Sequence, residues 1–258
     1  MLSIFISKIW RKIKSVPMRL ATYFYYTAKP RLFNPIHYLR TNNEKRSKEK
    51  LQDIDSGKLY KLISELIKKS GSTGCEYSDY YVLYNSLIKL KPKIILECGS
   101  GISSIVIAYY ISKMENCNDY KFISCDESLI YHEQIKNIFP KEYLQYTDFK
   151  YFERGEGDIN GVRGSYYNSL PNLNYDFIFI DGPAFRLNDE KPNPKCYNAD
   201  LIKIIMGNKD LLVNGLSDQR ILNYIIYKKM MPNAEIRYDV VTKLTYLNNI
   251  SASQLTKI

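Results

Sequence analysis

The stretch KIILECGSGISS, Lys93 to Ser104, decides the fold. A short apolar run ends in Glu97, Gly99 and Gly101 alternate with small residues, and Ile105, Val106 and Ile107 open a helical pattern. Buried strand, glycine turn and helix start in that order are how an open α/β sheet builds a ligand crevice. Glycine lets a ligand lie against bare backbone, and the helix N-terminus adds unpaired N–H groups. The carboxylate two residues before the first glycine repels phosphate and favours a ligand with a cationic centre and an amino group.

Two further segments follow in the same style. YKFISCDES (Tyr120 to Ser128) reads as a second buried strand ending in Asp126 and Glu127, with a helix through Leu129, Ile130, Ile135 and Ile138 stopped by Pro140. An acid at that place can accept both hydroxyls of a ribose, or simply favour the start of the next helix. YDFIFIDGP (Tyr175 to Pro183) reads as a third buried strand, Phe177 to Ile180, closed by the turn signal Asp181-Gly182-Pro183. Its terminal acid lies over the crevice, either as a functional group or as a turn former.

The E-x-G-x-G of Glu97 to Gly101 resembles motif I of the class I S-adenosylmethionine-dependent methyltransferases, and YDFIFIDGP resembles the fourth strand of bacterial members. The resemblance covers about Ser78 to Leu247. It implies a Rossmann-like, doubly wound α/β fold: a mostly parallel seven-stranded sheet with an antiparallel closing strand. It implies S-adenosylmethionine as cofactor, held by Glu97, Gly99, Gly101, Ser103, Asp126, Glu127 and Asp181, with Glu97 on the amino group directly or through water and Asp126 on the ribose. Asp181 is then the leading candidate for the base that takes a proton from a hydroxyl acceptor. Metal-dependent members carry a further acid pair after the fifth strand; here LLVNGLSD offers only Asn214 and the more distant Asp218, and no metal is expected.

Around these motifs the pattern is regular. Ser78-Asp79-Tyr80 can cap a helix carrying Leu83, Leu87 and Leu90. LYKLISELIKK places Leu59, Leu62, Ile63, Leu66 and Ile67 on one helical face. LIKIIM reads as a helix, DLLVN (Asp210 to Asn214) as the fifth strand, DQRILNYIIYKK as an amphipathic helix, and AEIRYDV with VTKLTYL as an antiparallel pair. Tyr166, Tyr167, Arg163 and Arg186 are assigned to loops flanking the fourth strand. Tyr166, Tyr167 and Arg186 are the acceptor-binding candidates, because tyrosine faces stack on sugar rings and arginine binds phosphate or carboxylate. GEGDINGVRG, from Gly155, reads as a flexible lid or plain turn chemistry. His132 falls on the helix after Asp126, beside the adenosine or outside.

The net charge of +10 over 258 residues is concentrated in the leader: residues 1–50 hold twelve Lys/Arg against Glu44 and Glu49, leaving 25 of each sign for residues 51–258. A neutral domain argues against a nucleic-acid cleft. Five cysteines without a C-x-x-C pair fit a reducing compartment, and two histidines remote from any cysteine pair argue against zinc. The division expected is a basic extension and linker, residues 1–50, and a methyltransferase domain, residues 51–258. Leu2, Phe5, Ile6, Ile9, Trp10, Ile13 and Val16 share a helical face, with Lys8, Arg11, Lys12 and Lys14 mostly opposite. Such a helix suits an anionic membrane surface, folding back on the domain, or a homodimer seam; a cleaved organelle presequence is the weakest reading.

Together these readings give an enzyme on the cytoplasmic face of a membrane that methylates an oxygen of a small-molecule or lipid-linked glycan acceptor. The alternatives are an NAD(P)-binding enzyme, whose third glycine would fall at Ser104, an RNA methyltransferase, and a catalytically silent scaffold tethered to the membrane. Removal of residues 1–17 is expected to abolish binding to anionic liposomes in a flotation assay while cofactor affinity is kept; unchanged flotation would exclude the anchor.

Overall fold

The structure, a computed structural model, describes residues 35–70, 76–184, 195–218 and 221–256. Residues 1–34 of the basic leader, Cys75 and Arg186 lie outside the described residues. Two units are distinguished, residues 1–39 and 40–258. The second takes in the polar stretch from Thr41 that the composition assigns to a linker.

Helix α1 (Pro35–Asp53) leads through a short 3-10 turn into α2 (Lys58–Ser70), whose Leu59, Leu62, Ile63 and Leu66 are buried as their spacing requires. Helix α3 (Tyr77–Leu90) precedes β1 (Ile94–Cys98), and α4 (Ser103–Ser112) follows the glycine turn. The chain continues as β2 (Lys121–Asp126), α5 (Leu129–Ile138), the short α6 (Lys141–Leu144) and β3 (Asp148–Tyr151). A hairpin, β4 (Arg154–Ile159) and β5 (Val162–Tyr167), precedes β6 (Phe177–Ile180). Then come β7 (Tyr197–Asn198), α7 (Asp200–Gly207), β8 (Val213–Ser217), α8 (Ile221–Met230), β9 (Glu235–Tyr238) and β10 (Thr245–Ile250).

The main sheet has seven strands in the order β3-β2-β1-β6-β8-β10-β9. Its first five are parallel, and β10 runs antiparallel between β8 and β9. This is the Rossmann-like, doubly wound fold. The chain winds outward from β1 to β3 and returns on the other side of β1 as β6, so the crevice between the tips of β1 and β6 is the topological switch point. Each sheet face has its own core. Ile95, Phe122, Phe177 and Phe179 face α2 to α6, while Leu96, Cys98, Ile123, Ile178 and Ile180 face α7, α8 and the smaller sheet. Helix α4 is buried from Ser103 to Ile111, which matches its nearly unbroken apolar sequence.

Three expectations are corrected. The fifth strand is Val213–Ser217, three residues later than DLLVN, because Gly215 sits inside it against the Ile178 carbonyl rather than in a turn. The segment expected as a lid is the β4–β5 hairpin, turned at Asn160-Gly161 and paired through β5 to β7 in a separate three-stranded sheet. Arg163, Tyr166 and Tyr167 therefore lie in a strand, not in loops. Finally, α3 is not capped by Ser78 or Asp79. Glu44 of α1 accepts hydrogen bonds from the first-turn N–H groups of Tyr77 (2.7 Å) and Ser78 (2.9 Å), a carboxylate placed where the helix dipole favours it. Among the described residues no helix is long and apolar enough to cross a membrane.

Glu44→Ala should therefore unseat the start of α3 and cost about 1–2 kcal/mol, read as a lower urea midpoint at unchanged m-value. An unaltered midpoint would show that the cap contributes nothing.

Candidate functional site

A cleft of about 330 Å³ opens at the carboxyl ends of β2, β1, β6 and β8. Its wall is built where two loops meet backbone to backbone. Gly99 has φ of 97°, and a Cβ there would lie 2.6 Å from the Gly182 nitrogen. A Cβ on Gly182 would in turn meet Gly99 Cα at 2.8 Å and the Tyr167 hydroxyl. Both positions need glycine for close approach, one also for its φ. The loops are pinned by main-chain hydrogen bonds: Gly99 N (2.8 Å) and Ser100 N (3.0 Å) donate to Cys125 O, and Asp181 N donates to Cys98 O at 2.7 Å.

A buried polar chain holds the turn after β6 from outside. The Asn198 side-chain amide donates to Gly182 O and, at 3.1 Å, to Asp200 Oδ2. Asp200 Oδ1 accepts from Tyr167 N at 2.9 Å, and the Tyr167 hydroxyl donates to Glu127 Oε2 at 2.9 Å. Glu127 Oε1 accepts from Ala184 N at 2.7 Å and so closes the loop. Asn223 supports Asn198 from behind, its Oδ1 accepting from Asn198 N at 2.8 Å.

The expected cofactor residues are brought together with one exception. Gly99, Gly101, Ser103, Asp126, Glu127 and Asp181 line the cleft. Glu97 does not. It is 0% exposed and shares the sheet face of Ile95, toward α4. Its Oε2 accepts from Ser104 Oγ (2.5 Å) and Ser124 Oγ (2.6 Å), and Ser124 Oγ lies 2.8 Å from Ser100 Oγ on the wall. Oε1 has no hydrogen-bond partner; the Ser103 hydroxyl is near enough to favour the charged form without being aligned to donate. Glu97 thus lies one layer behind the wall and reaches it through serines.

The acceptor candidates fare differently. Tyr167 is a buried brace, and Tyr166 carries the Lys203 ammonium over its ring at 3.4 Å; neither lines the cleft. Both lie on β5, which pairs into the smaller sheet, and not in a loop. His132 is buried edge-on against Phe149, away from the cleft, and burial lowers its pKa.

Sequence reasoning missed Glu76 and Asp79 at the start of α3 and Asp218 just past β8, all three on the cleft wall. The signal was present: the central parallel strands β1, β2, β6 and β8 each carry an acid at or just beyond their carboxyl end, Glu97, Asp126, Asp181 and Asp218. Among the described residues the cleft is lined by six carboxyl groups, Glu76, Asp79, Asp126, Glu127, Asp181 and Asp218, and by no lysine, arginine or histidine. Burial pushes Glu97 up to about 7, against the pull of its serines and helped by the charge of Asp181. Burial also raises Asp126 to about 7 despite the Ser128 N–H on its Oδ1. Asp200 rises to about 7 for the same reason. Asp79 and Asp218 go well above the carboxylate range, by burial first and neighbouring acids second.

No family model matches the chain, and no curated protein matches it in sequence. Solved structures do resemble it. A Staphylococcus aureus protein assigned as a caffeoyl-CoA O-methyltransferase superposes with a TM-score of 0.50 at 14% identity, over 80% of this chain and 99% of that one. A Geobacter sulfurreducens methyltransferase (TM-score 0.46, 10% identity, 90% and 96% covered) and a Bacillus cereus O-methyltransferase in complex with SAH (0.46, 11%, 78% and 96%) are further similarities. At such identities the likeness speaks for the fold, and only the first of the three is close enough to do so.

Acids whose folded pKa is raised bind protons more tightly in the native state than in the unfolded chain. The stability they confer when protonated is complete below the usual carboxylate range and is lost as pH rises through about 7. His132, held below its usual value, opposes this with a single group. The ligand-free protein should therefore lose roughly 5 °C or more in Tm between about pH 5 and 8, and Glu97→Gln should flatten that slope. A Tm that rises across the window would contradict the placement of these acids.

Proposed function

We propose that the cleft binds S-adenosylmethionine and that the protein is a methyltransferase acting on an oxygen of its acceptor. The observation that carries this is the lining: among the described residues, six carboxyl groups and no cationic side chain around a bare-backbone glycine turn at the switch point. A dinucleotide brings a pyrophosphate, and a nucleic acid a phosphate chain; both would be repelled by that wall. A ligand with a ribose, an ammonium and a cationic sulfur suits it. The Staphylococcus aureus neighbour, an O-methyltransferase by assignment, shares the fold and supports the reading.

When bound, the sulfonium supplies an already electrophilic methyl group. The protein's own task is to hold and orient. Asp126, at the tip of β2, is placed to accept the ribose hydroxyls, and the backbone from Gly99 to Gly101 to lie along the methionine moiety, with Ser103 at the N-terminus of α4. Glu97 fixes Ser104 directly and Ser100 by way of Ser124, and through them the turn. Asp181 stands at the tip of β6, over the switch point, as the base that receives the acceptor's hydroxyl proton.

The narrower reading is a sugar hydroxyl in a surface glycan or glycolipid precursor, methylated at the inner face of a membrane. It draws support from the family resemblance and from the basic leader, of which residues 1–34 lie outside the described residues. The silent-scaffold alternative separates from it by a labelled-methyl assay on cell-envelope fractions, where a scaffold labels nothing.

Calorimetry with S-adenosylhomocysteine and with NAD tests the core of the proposal. Binding of the first and not the second is expected. Asp126→Asn should weaken it by about 1.5–3 kcal/mol, the range for hydrogen bonds to a charged group. Binding of NAD alone would sink the reading.

A further inference from the structure

The acids fall into two groups at opposite ends of the cleft. Asp126 and Glu127 follow β2, whereas Asp218 follows β8, with β1 and β6 between. At about 4.8 Å per strand, the β2 and β8 tips stand roughly 14 Å apart. A cofactor whose ribose is held at β2 and whose amino acid lies along β1 leaves the β8 end to the acceptor.

Among the described residues, Lys243 is the cation at that end. Glu76 is ion-paired with Lys243 at 2.7 Å. Asp79 is 4% exposed, and its one side-chain hydrogen bond is a 3.4 Å contact from the Ser78 hydroxyl. Asp218 is 8% exposed, lines the cleft, and its Oδ1 has no hydrogen-bond partner at all. A nine-tenths-buried carboxylate oxygen with an unused lone pair at a ligand-sized opening costs stability unless a ligand supplies the donor. Among the described residues no group of three or more His, Cys, Asp or Glu side chains is placed to hold a metal ion. An uncharged hydroxyl could satisfy Oδ1, but an ammonium would in addition offset the repulsion among the acids, which Lys243, paired with Glu76, only partly relieves.

Resting on the methyltransferase reading above, we infer that the Asp79–Asp218 end of the cleft is a subsite for a protonated amine on the acceptor, so that the substrate class is an amino alcohol or amino sugar whose hydroxyl is methylated. The amine is a handle and keeps its proton; the hydroxyl oxygen takes the methyl, and its proton goes to Asp181. Burial first, and then neighbouring acids (Glu76 and Glu44 for Asp79, Asp181 and Asp79 for Asp218), hold both subsite carboxyls well above their usual range in the absence of a cation. An ammonium between them brings them back toward ionisation, and its binding therefore releases protons.

The minimal fragment of this class is ethanolammonium, and its uncharged mate is ethylene glycol. The full chain, saturated with S-adenosylhomocysteine, is titrated with each at millimolar concentration while the backbone amide spectrum is recorded. The expected result is saturable shifts around Asp79 and Asp218 with ethanolammonium and none with the glycol. Asp218→Asn should weaken the ethanolammonium response at least about tenfold and leave S-adenosylhomocysteine affinity within about threefold. Asp79→Asn, checked for folding by its melting curve, should do the same. Equal responses to the two fragments, or none to ethanolammonium, would overturn the subsite. Loss of S-adenosylhomocysteine affinity in Asp218→Asn would overturn it too, by giving the ammonium to the cofactor's own amino acid. Mn²⁺ broadening of the same amides without an ethanolammonium response would replace the amine with a metal. Failure of the wild type to bind S-adenosylhomocysteine would remove the underlying methyltransferase reading, an outcome distinct from all of these.

Discussion

The contact between Gly99 and Gly182 governs the rest of the architecture. Two parallel strands can end side by side in many ways, but only where neither loop carries a Cβ can their backbones close to this distance. Closure brings the wall residues Ser100 and Asp181 to the switch point and turns the start of α4 toward the same space. It also demands support, because the Gly182 carbonyl is buried and must be paired. That demand accounts for the two-residue β7. Tyr197–Asn198 is too short to matter as a strand, yet it delivers the Asn198 amide to Gly182 and starts the chain through Asp200, Tyr167 and Glu127 back to Ala184. A polar network of this kind is stabilising only when its members are satisfied, and here each has its partner.

The second constraint is electrostatic. Nothing in the fold requires an acid beyond each of the central strand ends, and each one raises the cost of ionising its neighbours. Among the described residues the ammonium close by, Lys243, is spent on Glu76. An arrangement that is self-repelling without a ligand and complementary to a cation is a selective device: it discriminates against phosphate by repulsion rather than by shape. The neutral balance of residues 51–258 conceals this, since six of its 25 acids line the cleft and, among the described residues, no base does.

Much of the fold was legible because it is written locally. The three strand-end motifs carry their own periodicity and turn residues, and the helices between them show apolar faces at helical spacing. Period-two alternation even contains the correction for Glu97: Ile95 and Glu97 must share a face, and Ile95 belongs to the core under α4. What escaped was non-local or disguised by glycine. Gly215 in β8 and Gly155, Gly157 and Gly164 in the hairpin look like loop chemistry, but they answer to close neighbours across a sheet, Ile178, Tyr166 and Tyr197. Asn160-Gly161 between two alternating runs was the overlooked hairpin signal. Glu44 caps a helix 33 residues away, which no local pattern announces. Once Glu44 does that work, Asp79 is released from capping and can face the cleft.

An acid-lined crevice also bears on turnover. On the proposed reading, the donor enters as a sulfonium and leaves as a neutral thioether, while every carboxyl stays where it was. For one charge pair about 8 Å apart at an effective dielectric constant of about 20, the attraction is about 2 kcal/mol, and it vanishes with the methyl group. Several such pairs surround the site, partly offset by proton uptake, because Asp126 and its neighbour behind the wall, Glu97, titrate at about 7. Transfer of the methyl group therefore weakens the grip on the product in the same step that makes it, and the nearby carboxyls can recover protons as the product leaves. The crowding of acids, costly to the empty fold, is in this sense what separates the affinity for substrate from the affinity for product.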